Sequence, residues 1–108
     1  MPKTDNIQGA LELLVLKTLC RGPAHGFAIG SAIQQYSDEV LRVEAGSIYP
    51  ALHRMTEAGM LKAEWRTSEA GRRARYYRLT PKGRRKIEAE EGKWLAISAA
   101  VAKVLRTV

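Results

Sequence analysis

Apolar residues recur along this chain with two different periods, and the changes between them divide it into elements. Between Gly9 and Cys20 they fall at nearly every step, as Leu11, Leu13, Leu14, Val15, Leu16 and Leu19. On a helix these side chains occupy almost every side, so the element is expected to be buried on two faces. One face can pack on its own domain. The other asks for a second partner, a first sign of a dimer. Gly22-Pro23 ends this helix. A second helix, about 24–36, places Phe27, Ile29, Ile33 and Tyr36 roughly along one side. After an irregular connection carrying Val40, Leu41 and Val43, a third runs from Gly46 to Gly59. Ile48, Leu52, Met55 and Gly59 form one narrow stripe on it, flanked by Ala51, and that stripe is the expected core face. The opposite face shows Ser47, Tyr49, Pro50, His53, Arg54 and Glu57. Pro50 is expected in the first turn, where its missing N–H costs nothing, which makes Ser47 the expected N-cap.

The period then changes to two. Leu61, Ala63 and Trp65 alternate with Lys62, Glu64 and Arg66, as in a half-buried strand. A loop over 67–74 holds Gly71, Arg72 and Arg73, and a return strand over 75–80 turns Tyr77 and Leu79 inward and Arg78 outward. Thr80-Pro81 opens the last helix, with the cap at Thr80 and proline at the first position. It continues to about Arg106, a length of about 39 Å at 1.5 Å per residue. Ile87, Trp94, Val101 and Val108 are seven apart, and Ile97 and Val104 each follow a member of that series by three. This is a/d heptad spacing, interrupted at Glu90. A helix this long would leave its seam wet on so small a core. Burial against a second copy is expected to contribute about 1.5–3 kcal/mol per large apolar side chain. The expected fold is mainly α with a small β-hairpin. A winged helix-turn-helix over 1–80 and a long C-terminal dimerisation helix over 81–108 would form one compact unit.

Charge narrows the function. From Lys62 to Lys86, ten Lys/Arg stand against two acids, and the rest of the chain is close to neutral, so this stretch carries the whole surplus of +7. A helix followed by a basic hairpin is how a winged helix-turn-helix meets DNA: the helix enters the major groove and the hairpin lies along the phosphates. At 108 residues the chain is one small domain with little room for a catalytic cavity. No apolar run approaches the roughly 18 residues that span a bilayer, and Met1–Gln8 lacks the features of a signal peptide. A cytoplasmic protein without a membrane partner is expected. Cys20 is the only cysteine, so no intrachain disulfide forms. It is expected as a small buried hydrophobe, with a redox-sensing thiol as the other reading. His25, His53 and Cys20 lack paired zinc spacing, and no catalytic triad, glycine-rich phosphate loop or carboxylate pair is evident. Neither a metal, a cofactor nor an enzyme is expected. Gly26 and Gly30 read as helix-packing positions.

Several runs together resemble the PadR family of bacterial transcriptional regulators. They are His25-Gly26-Phe27, Gly46-Ser47-Ile48-Tyr49-Pro50-Ala51-Leu52 with Arg54-Met55, Gly59-Met60-Leu61, and Tyr76-Tyr77-Arg78-Leu79-Thr80 with Gly83. The single C-terminal helix is similar to the compact branch of that family. The resemblance implies a homodimeric winged-helix repressor that binds double-stranded DNA at palindromic operators and is released by small aromatic or drug-like effectors near the dimer interface. It implies major-groove contacts from Ser47, Tyr49, Pro50, His53 and Arg54, and wing contacts to phosphate or the minor groove from Arg72, Arg73 and Arg75. Met55 and Thr56 stand where the family often has Leu and Glu. The first is a tolerable core exchange; the second has no explanation in the sequence.

Several positions carry two readings. Tyr49, about 100° from the core stripe, either touches DNA or packs on the wing. Arg54 either contacts DNA or pairs with a neighbouring acid such as Glu57. His53 either contacts DNA or sits on a solvated face. Trp94 either packs the dimer seam or stacks on a planar effector. At the level of the whole chain, the alternative to DNA binding is a winged-helix interaction module whose basic hairpin docks an acidic protein. Such a module is expected to show exposed apolar anchors on its third helix.

Overall fold

The computed structural model describes residues 4–67 and 69–108, with side chains from residue 9 onward. The elements are α1 (Thr4–Thr18), a 3-10 turn (Leu19–Arg21), β1 (Ala24–His25), α2 (Gly26–Tyr36), α3 (Ala45–Glu57), β2 (Leu61–Thr67), β3 (Arg73–Leu79) and α4 (Pro81–Thr107). The stripe expected on the third helix is the buried one: Ile48, Ala51, Leu52 and Met55 enter the core. They meet Val15, Leu16 and Leu19 from α1 and its turn, Ile29 and Ile33 from α2, Leu61, Tyr77 and Leu79 from the sheet, and Ile87 from α4. The fold is therefore the expected one, mainly helical around a small antiparallel sheet.

The sheet has three strands in the order β1-β3-β2, where the pattern predicts a two-stranded hairpin. Ala24 lies opposite Tyr77 and His25 opposite Tyr76. Two residues are too few to show a period, which is why β1 is not legible in the sequence. His25 then caps α2. Its backbone is extended (φ −88°, ψ 167°), and its Nδ1 accepts the Ala28 N–H at 3.2 Å.

Four expectations need correction. Ser47 is not the N-cap of α3. The helix starts three residues earlier, nearly a full turn, with extended Glu44 as cap residue, and the Glu44 carbonyl accepts from the Ser47 and Ile48 N–H groups at 2.9 and 3.0 Å. Pro50 consequently lies in the second turn. The bond it cannot donate would have gone to the carbonyl of Gly46, an exposed position where water can serve that acceptor. Phe27 and Tyr36 are exposed, not part of the α2 core side. Phe27 precedes Ile29 by two residues and so points away from it; Tyr36 follows the Ile29 direction but lies past the edge of the core, under the Arg21 guanidinium at 5.1 Å. Cys20 is also exposed. The tightening of the backbone after Thr18 sends Leu19 inward and turns Cys20 out.

Thr80 fixes where α4 starts. Its hydroxyl accepts the Gly83 N–H at 3.1 Å and donates to the Gly59 carbonyl at 2.6 Å, while Lys82 Nζ donates to the Ala58 carbonyl at 2.7 Å. These bonds tie the helix to the α3–β2 turn, where Gly59 takes a positive φ of 81°. From there α4 runs past the core, giving the molecule extents of 53 × 28 × 27 Å. Ile97, Val101 and Val104 on its distal half are exposed.

Candidate nucleic-acid interface

The buried stripe of α3 decides what its other side presents. Gly46, Pro50, His53 and Glu57 lie opposite it and are exposed, and Ser47 and Arg54 flank them on the α1 side. Arg54 pairs with an acid of another helix. Its Nε reaches Glu12 of α1 at 3.3 Å, which ties the end of the helix to its neighbour. Tyr49 lies on the opposite flank, half-exposed. Its ring rests on Gly26 at the start of α2, where an added Cβ would stand 2.5 Å from the ring. The ring therefore sits at the boundary the helical angle predicts, packed on α2.

The buried side of α3 leads to the wing. The Tyr77 hydroxyl is pushed above the usual tyrosine range chiefly by burial; the Arg75 charge opposes that shift and Tyr49 adds to it. Tyr77 itself is buried in one core with Ile48, Leu52 and Met55, and that packing joins α3 to the hairpin.

Strand register sorts the wing's cations onto two faces. Leu61 pairs with Leu79, Lys62 with Arg78, Ala63 with Tyr77, Glu64 with Tyr76, Trp65 with Arg75, Arg66 with Ala74 and Thr67 with Arg73. Directly paired residues share a face. Trp65, Arg73 and Arg75 therefore continue the face that begins with buried Leu61, Leu79 and Tyr77. Lys62, Glu64, Arg66, Tyr76 and Arg78 lie on the other. Arg72 stands in the turn between the strands, exposed. On the second face Glu64 meets Arg66 at 2.7 Å and Arg78 at 3.9 Å, and Arg66 lies 5.2 Å over the Tyr76 ring. The Arg66 hydrogen bond and charge hold the Glu64 carboxyl below the usual carboxylate range. On the first face Arg73 lies 5.5 Å over Trp65, which is 59% exposed.

The structure thus brings Ser47, Pro50, His53 and Arg54 together on one side of α3, sets Tyr49 on the opposite flank against α2, and puts Arg73 and Arg75 on one face of the hairpin. Trp94 lies elsewhere. It lines an open apolar groove of about 420 Å³ between α1 and α4 with Leu13, Leu14, Leu41 and Leu95, and the Lys17–Glu91 ion pair of 3.1 Å stands at its rim. Sequence reasoning missed two aromatic residues on the α3 side. Phe27, 75% exposed, lines a small cleft with Tyr49 and Ala45. Trp65 reads as an inward strand position, but its strand outruns the core. The arginine opposite it in the hairpin was the available signal.

Comparison with known proteins decides what such a surface belongs to. The Transcriptional regulator PadR-like family matches residues 15–89. The chain belongs to that family. A transcriptional regulator of Mycobacterium tuberculosis is 36% identical over 77 residues, 71% of this chain and 68% of that protein. An uncharacterized 37.1 kDa protein of a Streptomyces fradiae transposon is 41% identical over 90 residues. That match covers 83% of this chain, which spans only 24% of the Streptomyces protein. Among solved structures, a PadR family regulator of Eggerthella lenta superposes with a TM-score of 0.74 at 31% identity, covering 97% of this chain and 90% of that one. A transcriptional regulator of Clostridium thermocellum superposes with a TM-score of 0.80 at 26% identity, covering 92% and 96%. The exposed side of α3 and the basic hairpin are therefore surfaces of a chain of the PadR-like transcriptional regulator family. Among the described residues no helix is long and apolar enough to cross a membrane, and no group of three metal-ligating side chains occurs.

Proposed function

We propose that this PadR-like chain is a homodimeric repressor that binds a palindromic operator with residues 1–80 and pairs with its second copy through the helix over 81–108. The observation that carries this reading is the packing of the wing against α3: the exposed side of α3 around Pro50 and His53 stands beside a hairpin whose inner face, buried at Leu61, Tyr77 and Leu79 with the α3 stripe, runs on to exposed Arg75 and Arg73. Gly46, Ser47 and Pro50 are small and let the helix approach base edges closely. Tyr49 and His53 supply polar tips, and Arg54 supplies charge from a position steadied by Glu12. Arg72, Arg73 and Arg75 supply affinity for phosphate that is independent of sequence. Two such helices about 34 Å apart address half-sites one helical turn apart.

The groove at Trp94 is the candidate effector site. It is apolar, open, and continuous with the exposed side of α4, so a planar aromatic or drug-like ligand held there would sit between two copies. Ligand binding that favours one dimer spacing over another would release the operator.

Fluorescence anisotropy tests the reading, with labelled duplex from upstream of the protein's own gene and a shuffled control. A preference of about a thousandfold or more supports it. Equal, steeply salt-dependent binding to both would favour the rival reading, a module that docks an acidic protein, although its exposed apolar candidate, Phe27, lies on α2 beside Tyr49 and not on the third helix.

A further inference from the structure

The wing has two faces, and charge alone does not choose between them. One carries Arg73 and Arg75; the other carries Lys62, Arg66 and Arg78 less Glu64, so each nets +2. What differs is how the cations are held. On the second face Glu64 engages both Arg66 and Arg78, and Arg66 is laid on Tyr76. A phosphate arriving there would have to displace a carboxylate from guanidinium groups it already occupies. On the first face, among the described residues, neither Arg73 nor Arg75 is ion-paired, and an exposed indole underlies Arg73. Only this face is continuous with the side of the sheet that packs on α3, because Arg75 and Arg73 follow Tyr77 on it, and Tyr77, Leu79 and Leu61 are buried in one core with Ile48, Leu52 and Met55.

We propose that the wing meets DNA with the Trp65–Arg73–Arg75 face, and that Trp65 is a positioning residue that holds the Arg73 guanidinium extended toward the DNA backbone. The assignment rests on the DNA-binding reading above and adds to it which side of the hairpin is used. A stacked guanidinium keeps its hydrogen-bonding edge open to a phosphate, since the indole face takes only its π surface. Holding the side chain on the ring also reduces the rotamer freedom that phosphate binding would remove. The Glu64 face points away from the duplex and keeps the hairpin's outer cations solvated without drawing DNA.

The test needs no operator, because phosphate contacts are read by salt dependence on any duplex. The slope of log affinity against log salt would be measured on a random-sequence duplex for the wild type and for single variants. Arg73→Ala and Arg75→Ala should each lower the slope by ~0.9 for every phosphate no longer neutralised, while Lys62→Ala and Arg78→Ala leave it at the wild-type value. Trp65→Ala should reproduce most of the Arg73→Ala decrease and add little to it in the double variant. Trp65→Phe, which keeps a ring under the guanidinium, should restore the slope. Melting followed by circular dichroism controls for folding. Equal decreases in slope from both faces, or a wild-type slope in Trp65→Ala, would overturn the assignment while leaving the protein a DNA binder. Absence of any DNA binding by the wild type would overturn both this assignment and the reading beneath it.

Discussion

Gly26 shows how a single missing side chain shapes the α3 surface. With no Cβ, it lets the Tyr49 ring lie across the first turn of α2; a Cβ there would stand 2.5 Å from one ring carbon and 3.0 Å from another. Gly26→Ala should displace the ring and cost about 1 kcal/mol by urea denaturation, since Tyr49 is half-exposed and can move. In a Tyr49→Ala background the same change should become neutral or stabilising, as alanine is the better helix former. An undiminished cost in that background would show that the ring is not the obstacle. The boundary position of Tyr49 is legible from its angle on the helix, and Gly26 from its place in one. Their meeting is not, because it joins residues from separate helices. Glu64 makes a second residue-scale prediction. Its carboxyl is held low by Arg66, so whatever the pair contributes is present above the usual value of 4.5 and disappears as pH falls through the lowered one. Carbon-detected titration should show Glu64 ionising below the ordinary glutamate range, and Arg66→Ala should move it back up. No movement would mean that the 2.7 Å pair is absent in solution.

At the scale of elements, the start of α4 is set by groups that belong to the α3–β2 turn. Thr80 serves both sides at once, accepting from Gly83 and donating to Gly59. Thr80→Ala should cost about 1 kcal/mol or somewhat more, and Thr80→Ser, which keeps the hydroxyl, should cost little. Equal costs in the two variants would assign the effect to the methyl group's packing. Gly83 is more demanding: a Cβ on it would run into the Met60 carbonyl and reach 3.1 Å from Leu79 Cδ2. Because backbone has to yield, Gly83→Ala should cost about 2–3 kcal/mol, and a thermal midpoint near the wild-type value would contradict the close approach. Much of this architecture is legible in the sequence. The α3 stripe and the Thr80-Pro81 start follow from helical angle and capping chemistry, and the hairpin follows from its period of two. The differences have local causes. β1 is two residues long, and its pairing with β3 bridges about fifty residues. The α3 start falls earlier than the capping argument places it, because Pro50 is tolerated in the second turn, where the orphaned Gly46 carbonyl is open to water. Phe27 reads as inward, although its spacing from Ile29 turns it out.

For the whole molecule, the decisive feature is a helix longer than the core it leaves. Ile87 is buried where α4 crosses the sheet, but Leu95, Ile97, Val101, Val104 and Leu105 are exposed in the single chain, Val101 by 51% and Leu105 by 75%. Among these, Ile97, Val101 and Val104 form an apolar row at heptad spacing over about two turns, which is costly to leave in water, and the α1–α4 groove with Trp94 adjoins it. A second copy packed along the seam would remove both exposures and set the distance between two α3 helices, so dimer strength and operator binding should be coupled. A charge at the middle of the seam tests this. Val101→Glu removes one burial from each copy at about 1.5–3 kcal/mol apiece, so the dimer dissociation constant should rise by at least ~100-fold. Sedimentation equilibrium reads that change directly. Affinity for the operator should fall with it, because two half-sites would then be met by separate molecules. Binding of a single wing to random duplex should keep its salt slope, since every cation of the wing is still in place. An intact dimer in Val101→Glu would place the interface away from this seam. A dissociated protein with undiminished operator affinity would instead uncouple assembly from DNA recognition, leaving each chain to read its half-site alone.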